Sequence, residues 1–388
     1  MPETRKLRVG LIGAAAKIAG PCHRNALTAI DAIELVAVCD KNSDALHQVA
    51  SDLGIAKQYD DYRRLLADAE IDAVDIIAPP FVHHEIAVAA ANAGKHVYCE
   101  KPMTHSLGEA RQMVSAAESA GVKFAVGESY YFHAPHRLAH RLIKEGEIGD
   151  IVQLRQTKDV WVFTPAEHAR LEGRGHDVPW RFNPQLSGGG EFPFFMDHGS
   201  HLFASARLLA GDLEIETVSA LARPFGYGPE AERRGITAVT WNYAGGVADG
   251  VWTQIETPPE AGPYVGFRTE VIGTRGTLRV FGEGGGAAPG WPCAAPVTIL
   301  RDGRSVDYRL DDGPDRSWVA NNSYYDEAHI ATLSRFATAV LEDSLLEYDG
   351  REAMKDLAAT LATIRSATEG RAVQVADIPD EWKAYRTS

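Results

Sequence analysis

Short apolar runs alternate with helix-like segments over roughly the first third of this chain, which has 388 residues. The runs are rich in Val, Ile and Ala, which is typical of strands covered on both faces. The segments between them have recognisable helix starts, such as Ser43 as a cap and Ser106 with Glu109 as a capping box. Predicted strands cover residues 7–12, 34–39, 72–78, 96–99 and 122–126, with a weaker one near 56–59. This alternation predicts a doubly wound parallel sheet of the α/β class over residues 1–127.

The pattern changes after about residue 127. Longer alternations of polar and apolar residues predict a large, mostly antiparallel open sheet with one solvated face. These strands are predicted at 151–160, 214–222, 237–243, 246–256, 266–272 and 276–281, and helices at 136–145, 200–210, 323–342 and 350–369. We therefore predict an α+β domain over residues 128–388 that serves substrate binding and oligomerisation. Its last helices can pack back on the first domain.

Composition excludes several classes of partner. The formal net charge of −14 argues against binding to nucleic acid or to an anionic membrane. No apolar run approaches the length of a membrane span, and we expect no signal peptide because the N-terminus leads straight into a strand.

The four cysteines lack the spacing of metal or redox motifs and are expected to be free thiols: Cys22, Cys39, Cys99 and Cys293. We expect a cytoplasmic protein without a bound metal.

A run of small residues from Gly13 to Gly20 follows the first predicted strand. Small residues there let backbone amides approach a pyrophosphate at a helix N-terminus, although Ala15 stands where the second glycine of the usual fingerprint is expected. Asp40 ends the second strand, and a carboxylate there can bind the ribose hydroxyls and repel a 2′-phosphate. The carboxylate therefore favours NAD, while Lys41 beside it leaves NADP open. On these residues we assign residues 1–127 to a dinucleotide-binding Rossmann domain. The plainer alternatives are a tight strand–helix turn and an ordinary turn or cap role for Asp40.

Two further segments carry reactive groups. Glu100-Lys101-Pro102 ends a buried parallel strand, where open α/β sheets bind ligands, and the lysine can hold charge beside a reacting oxygen. Asp197 and His201 lie four residues apart, so in a helix the carboxylate can orient an imidazole that takes a proton near neutral pH. A base and a cation are the two groups needed to remove a hydride from a secondary alcohol. The alternatives are a helix cap for Asp197 and a core histidine for His201.

Three further histidines have helical spacing but no clear cysteine or carboxylate cluster beside them: His133, His136 and His140. We expect these side chains to lie on a solvated face or at a pocket edge rather than around a metal ion.

The combined pattern resembles the Gfo/Idh/MocA oxidoreductases, the relatives of glucose-fructose oxidoreductase and inositol dehydrogenase. The resemblance runs over nearly the whole chain, and the run from Ala93 through Glu100-Lys101-Pro102 is its most specific part. The other matching segments are residues 9–13, 77–83 and 180–181, the glycine triplet 188–190 with Asp197 and His201, and the closing helices.

The resemblance implies roles for individual residues. Lys101 matches the catalytic lysine that contacts the substrate hydroxyl near the nicotinamide, with Lys101-Pro102 a candidate cis peptide. Asp197 and His201 match the acid–base pair. The cofactor-binding residues implied by motif and resemblance together are Gly13, Ala15, Lys17, Ile18, Asp40, Lys41, Ala78, Pro79, His83, Glu100, Lys101, Trp180 and Arg181.

The chain departs from the family pattern at three places. The glycine turn is irregular. Six residues, 191–196, separate the glycine triplet from Asp197 where relatives usually have three. The stretch beginning at Glu128 replaces one that carries asparagine and arginine in relatives, so substrate contacts cannot be carried over there.

These observations predict an NAD(P)-dependent oxidoreductase that moves a hydride between nicotinamide and a secondary alcohol of a sugar, cyclitol or glycoside. One alternative is a hydrolase, lyase or epimerase that uses tightly bound NAD for transient oxidation. The other is a non-catalytic dinucleotide-binding regulator. The large open sheet and the resemblance favour a homodimer or homotetramer.

Overall fold

The computed structural model describes residues 5–16, 19–161, 180, 183–225, 233–257, 266–283, 295–310 and 323–385. Its first sheet has six strands that pair in parallel in the order β3-β2-β1-β4-β5-β6. They are β1 (Leu7–Ile12), β2 (Ile33–Cys39), β3 (Lys57–Tyr59), β4 (Ala73–Ile76), β5 (His96–Glu100) and β6 (Phe124–Gly127). The order reverses between β1 and β4, which is the position at which Rossmann sheets bind dinucleotides. The predicted parallel sheet is confirmed.

The helices between these strands begin and end close to the predicted positions. They are α1 (Ala19–Ala29), α2 (Ser43–Leu53), α3 (Tyr62–Leu66), α4 (His83–Asn92) and α5 (Leu107–Ala120). The Ser106 side chain caps α5 by accepting from Glu109 N at 3.3 Å, as predicted. The prediction for α2 was wrong by one residue, because Asn42 is the cap and its side chain accepts from Ala45 N at 3.1 Å. Ser43 is instead the first helical residue.

The second sheet has nine strands within the described ranges, in the order β14-β13-β12-β11-β7-β10-β9-β8-β15. Strands β7 and β10 pair in parallel, and the other neighbours pair antiparallel. The strands are β7 (Ile151–Trp161), β8 (Ile215–Phe225), β9 (Arg233–Tyr243), β10 (Asp249–Thr257), β11 (Gly266–Gly273), β12 (Thr277–Glu283), β13 (Val297–Arg301), β14 (Arg304–Tyr308) and β15 (Val373–Gln374). The prediction of a mostly antiparallel sheet is therefore confirmed, although β13, β14 and β15 were missed.

Within the described ranges, five further helices follow β6 along the chain. They are α6 (Ser129–Phe132), α7 (Ala134–Lys144), α8 (Pro193–Leu209), α9 (Ser323–Leu341) and α10 (Gly350–Glu369). Helices α8 and α10 pack against each other, and α8 lies on the buried face of the sheet, where the Phe203 ring contacts Trp241 edge-on at 5.6 Å. Because α8 begins at Pro193, seven residues before its predicted start at Ser200, Asp197 lies inside the helix and is not its cap.

Helix α9 belongs to the C-terminal half of the chain but packs on the first sheet. Its Leu333, Phe336 and Ala337 are buried in one cluster with residues of β1 and α1. The domain division between residues 127 and 128 stays a prediction. No helix in the described part of the chain is long and apolar enough to cross a bilayer. The described cysteines Cys22, Cys39 and Cys99 are thiols outside any disulfide, and Cys293 lies outside the described residues.

Candidate active site

The turn after β1 brings the backbone close to the loop after β4. Gly13 has φ +86°, and a Cβ at this residue would lie 2.6 Å from the backbone nitrogen of Ala78. Only glycine fits both the positive φ and this close approach. Ala15 N donates to Asp40 Oδ2 at 2.9 Å, so the carboxylate at the end of β2 holds the turn in place.

These residues fit a dinucleotide at the carboxyl edge of the sheet. The small residues Gly13, Ala14, Ala15 and Ala16 follow β1, and the carboxylate of Asp40 follows β2. Asp40 Oδ1 also accepts from Asn42 N at 2.9 Å, and each carboxylate oxygen keeps a second lone pair for a ribose hydroxyl. Lys41 is exposed beside it, while Lys17 and Ile18 lie outside the described residues.

His83 ties the loop after β4 to the loop after β5. Its ring nitrogens lie 2.6 Å from the carbonyl oxygen of Ala78 and 3.0 Å from that of Pro102. The ring is buried, and burial lowers its pKa. The Lys101-Pro102 peptide is cis, as predicted, and Pro79 precedes a short 3-10 turn over Pro80–Val82. The predicted cofactor loops thus lie side by side.

Lys101 reaches from the end of β5 to α8. Its Nζ donates to the carbonyl oxygen of Asp197 at 3.0 Å and lies 3.3 Å from Asp197 Oδ1. The side chain is only 9% exposed, so this charge is largely shielded from bulk water. The contact joins the parallel sheet to the helix that carries Asp197 and His201. The additional spacing before Asp197 is accommodated because Pro193–Met196 form the start of α8.

His201 lies one helical turn after Asp197, with its side chain nearly buried. Its Nδ1 is 2.5 Å from Glu128 Oε1, and its ring stacks on Tyr130 with centroids 4.2 Å apart. Glu128, not Asp197, is therefore the carboxylate that the structure places on Nδ1. The predicted orientation of His201 by Asp197 stays a prediction.

Glu128 was not among the predicted site residues. It follows β6 directly, and the end of a parallel strand is the signal that could have identified it. The residue is fully buried, and burial raises its pKa to about 7 against the opposing charge of Lys101. Glu128, Lys101, Ser200 and Tyr348 are among the residues that line a cavity of about 10 Å³, the size of a single water.

Glu100 lies in a buried ionic group beneath Lys101. His23 Nδ1 is 2.8 Å from Asp75 Oδ2, and its Nε2 is 3.1 Å from Glu100 Oε1. Burial opposes a charge on His23, but the two carboxylates outweigh it and raise the pKa to about 10. Burial also opposes a charge on Glu100 and would raise its pKa. His23 and His329 outweigh burial and hold the pKa of Glu100 well below its usual range. Glu100 Oε2 accepts from Lys101 N at 2.9 Å, and its predicted contact with the cofactor stays a prediction.

The same group offers a donor set that a metal ion could use. The ligand atoms of His23, Glu100 and His329 all lie within 4.8 Å of one another. Both ring nitrogens of His23 already meet carboxylates, so the described contacts are those of an ion-pair network. The expected absence of a metal stays a prediction.

The remaining predicted residues have different outcomes. Trp180 is half-buried, and its carbonyl accepts from Asn183 N at 3.2 Å, while its predicted contact with the cofactor stays a prediction. Arg181 lies outside the described residues.

The expected solvated or pocket-edge position is wrong for His133 and His136, which are buried against Tyr130 because α7 packs on α6.

Comparisons with known proteins agree with this architecture. Residues 7–128 match the Gfo/Idh/MocA profile described as an oxidoreductase family with an NAD-binding Rossmann fold, and residues 136–279 match the C-terminal domain of the same family. D-apiose dehydrogenase from Paraburkholderia graminis is 26% identical over 94% of this chain and 89% of that protein. The scyllo-inositol 2-dehydrogenase (NAD(+)) of Bacillus subtilis is 32% identical over 66% of this chain and 68% of that protein.

A solved structure of levoglucosan dehydrogenase in complex with NADH and levoglucosan has the same fold. It superposes with a TM-score of 0.76 at 23% identity, covering 96% of this chain and 100% of that chain. The sheet order, the glycine turn and both family matches lead to one assignment. The chain belongs to the Gfo/Idh/MocA family of NAD-binding oxidoreductases.

Proposed function

We propose that this protein transfers a hydride between NAD and a secondary alcohol of a sugar, cyclitol or glycoside. The contact between Lys101 Nζ and Asp197, one turn before His201, is the observation that carries the proposal. It puts a cation and an imidazole at the carboxyl edge of the dinucleotide-binding sheet. The relatives named as D-apiose and scyllo-inositol dehydrogenases support a polyhydroxylated substrate.

Each group has a distinct task in the reaction. Bound NAD supplies the nicotinamide carbon that accepts the hydride. Lys101 stabilises the negative charge that develops on the substrate oxygen, and Asp197 holds the Lys101 ammonium in place. His201 takes the hydroxyl proton while the carbinol C–H electron pair leaves with the hydride and the C=O bond forms. The reverse reduction uses the same groups in the opposite order.

Asp40 favours NAD over NADP as the working cofactor. Its carboxylate follows β2 and would face a 2′-phosphate, which it repels. Lys41 can offset part of this repulsion. We expect faster turnover with NAD, measured as kcat/KM with each cofactor on the same substrate.

The direct test follows nicotinamide absorbance with purified protein against inositols, aldoses and glycosides. Changing Lys101→Ala should abolish turnover because the developing alkoxide loses its cation, while dinucleotide binding measured by calorimetry is retained. Lys144→Ala, at an exposed position near the end of α7, is the matched control and should behave as wild type. Unchanged turnover in the Lys101 variant would refute the assigned role.

The same experiment distinguishes the two alternatives. Dinucleotide that remains bound through gel filtration, with substrate conversion but no net reduction, would indicate a hydrolase, lyase or epimerase. Dinucleotide binding without conversion of any polyol would indicate a regulator.

We further propose that the protein acts in the cytoplasm as a homodimer or homotetramer. The large open second sheet supports self-association of this kind. Sedimentation at micromolar concentration should give a dimer or tetramer mass, and a monomer mass would contradict this part.

A further inference from the structure

We propose that Glu128 is a positioning residue for His201, and that its ionised carboxylate keeps this imidazole in the form that can take a proton from substrate. The inference rests on the proposed role of His201 as the base. Glu128 acts only through the ring and needs no contact with the substrate.

The geometry restrains both partners. Glu128 Oε1 lies 2.5 Å from His201 Nδ1 and also accepts from Tyr130 N at 3.0 Å, which caps α6. The Tyr130 ring stacks on His201 with 22° between the planes. One short element after β6 therefore holds the carboxylate and restricts rotation of the imidazole. A carboxylate on one ring nitrogen is the usual way in which proteins select a histidine tautomer.

The ionisation state of Glu128 decides which nitrogen carries the proton. An ionised carboxylate can only accept, so the neutral imidazole places its proton on Nδ1 and its lone pair on Nε2. A protonated Glu128 donates to Nδ1 instead, which moves the ring proton to Nε2 and removes the base. In the reactive form, the proton leaves the substrate oxygen, binds Nε2, and produces an imidazolium beside the carboxylate. No other electron or proton is required from Glu128.

The charges around Glu128 place its ionisation in the neutral range. Burial raises its pKa to about 7 and nearby Glu100 adds to this, while Lys101 opposes it. Ser200 on α8 also favours the ionised form. From α10 and the segment before it, Asp356 and Tyr348 face the same region, with Asp356 held by Arg207. The proposal thus predicts that turnover falls as the pH drops below about 7 and Glu128 takes up a proton.

Two variants separate charge from shape. Glu128→Gln keeps the shape but loses the charge, and its amide can donate to Nδ1, so kcat should fall about 10²–10⁴-fold with little change in KM. Glu128→Asp retains the charge and should recover at least about tenfold of this loss. Glu109→Gln is the matched control, because it makes the same change at a carboxylate that pairs with Lys383. Its kcat should stay within about twofold of wild type.

The deciding measurement is the nitrogen NMR spectrum of His201 in protein labelled at histidine, assigned with a His201→Asn variant and recorded from pH 5 to 9. In wild type the ring should carry its proton on Nδ1 at pH 8, and Glu128→Gln should shift both the tautomer and the titration. Wild-type kcat in Glu128→Gln, or an unchanged His201 spectrum, would overturn the proposal. If the Gln variant does not fold, a wild-type ring protonated on Nε2 at pH 8 overturns it equally. Failure of wild type to convert any polyol would instead refute the proposed function, because the spectrum is independent of turnover.

Discussion

His23 places a buried positive charge between the carboxylates of Asp75 and Glu100. Glu100 in turn accepts from the backbone nitrogen of Lys101, so this charge supports the residue that we propose contacts the substrate oxygen. Removing the cation would leave two buried carboxylates facing each other. Breaking a buried ionic group by removing one partner typically costs about 3–5 kcal/mol.

We therefore expect His23→Asn to lower the free energy of unfolding by about 3–5 kcal/mol at pH 6, measured by urea denaturation. The pKa of His23 is raised from 6.5 to about 10 in the folded protein. Its stabilisation is thus complete below pH 6.5 and is lost as the pH rises through 10, so the difference from wild type should shrink over that window. His47→Asn, at an exposed position on α2, is the control. An equal difference at pH 6 and pH 10 would contradict the assigned charge.

At the level of single residues, the sequence could suggest some members of the site but not the contacts between distant ones. Local motifs made Lys101, Asp197 and His201 candidates, because reactive groups at strand ends and at helical spacing can be recognised within a few residues. The contact of His201 with Glu128 spans 73 positions along the chain. No local pattern reports such a pair, and only the packing of α6 against α8 creates it.

Among the helices, α8 illustrates why element boundaries were harder to predict than element types. The helix was predicted to begin at Ser200, directly after Gly199, yet Gly199 lies in the interior of α8. A Cβ at this residue would lie 2.6 Å from Thr360 Cγ2 and 2.7 Å from its Oγ1. The glycine therefore permits close contact between α8 and α10, and tertiary packing overrides its low helix propensity.

This contact predicts whether a substitution at Gly199 raises or lowers the free energy of unfolding. Ala is a better helix former than Gly by about 1 kcal/mol, so Gly199→Ala would stabilise an isolated α8. In the folded protein we expect a net loss of about 1–3 kcal/mol, because the added methyl group overpacks the contact with Thr360. Urea unfolding measures the loss, and kcat should fall with it because Asp197 and His201 flank the site of strain.

The double variant Gly199→Ala with Thr360→Ala is the control for steric overlap. Removing both Thr360 branch atoms should restore part of the lost stability. If the single variant is more stable than wild type, the close approach of the two helices is refuted.

Strand prediction succeeded where polar and apolar residues alternate and missed the hairpin of β13 and β14. Asp302 and Gly303 join these strands with φ of 53° and 70°. This Asp-Gly turn is a recognisable hairpin signal that was available in the sequence. β15 spans only two residues and pairs with β8, so its short length leaves no periodicity to detect.

For the complete chain, the order of elements predicted both sheets but not how the C-terminal half supports the first one. Helix α9 is distant in sequence from β1 and β5, yet Phe336 is buried and contacts the Tyr98 ring edge-on at 5.6 Å. The periodicity of its apolar residues identifies a helix, but it does not show which sheet the helix packs against. The dinucleotide-binding sheet is therefore completed by a segment that follows strands β7 to β14 of the second sheet along the chain.

This arrangement predicts that the core around the first sheet depends on α9. Phe336→Ala should lower the free energy of unfolding by about 3–5 kcal/mol, because it removes a buried ring and leaves a cavity beside Tyr98. Dinucleotide affinity, measured by calorimetry, should also weaken, since the lost packing lies beneath the sheet that carries Gly13 and Asp40. Leu345→Ala is the control, because that side chain is 95% exposed and its removal should change neither quantity. A Phe336 variant with the stability and affinity of the control would show that α9 only borders the first sheet, whereas a coupled loss of both would show that the two halves of the chain form the cofactor site as one cooperative unit.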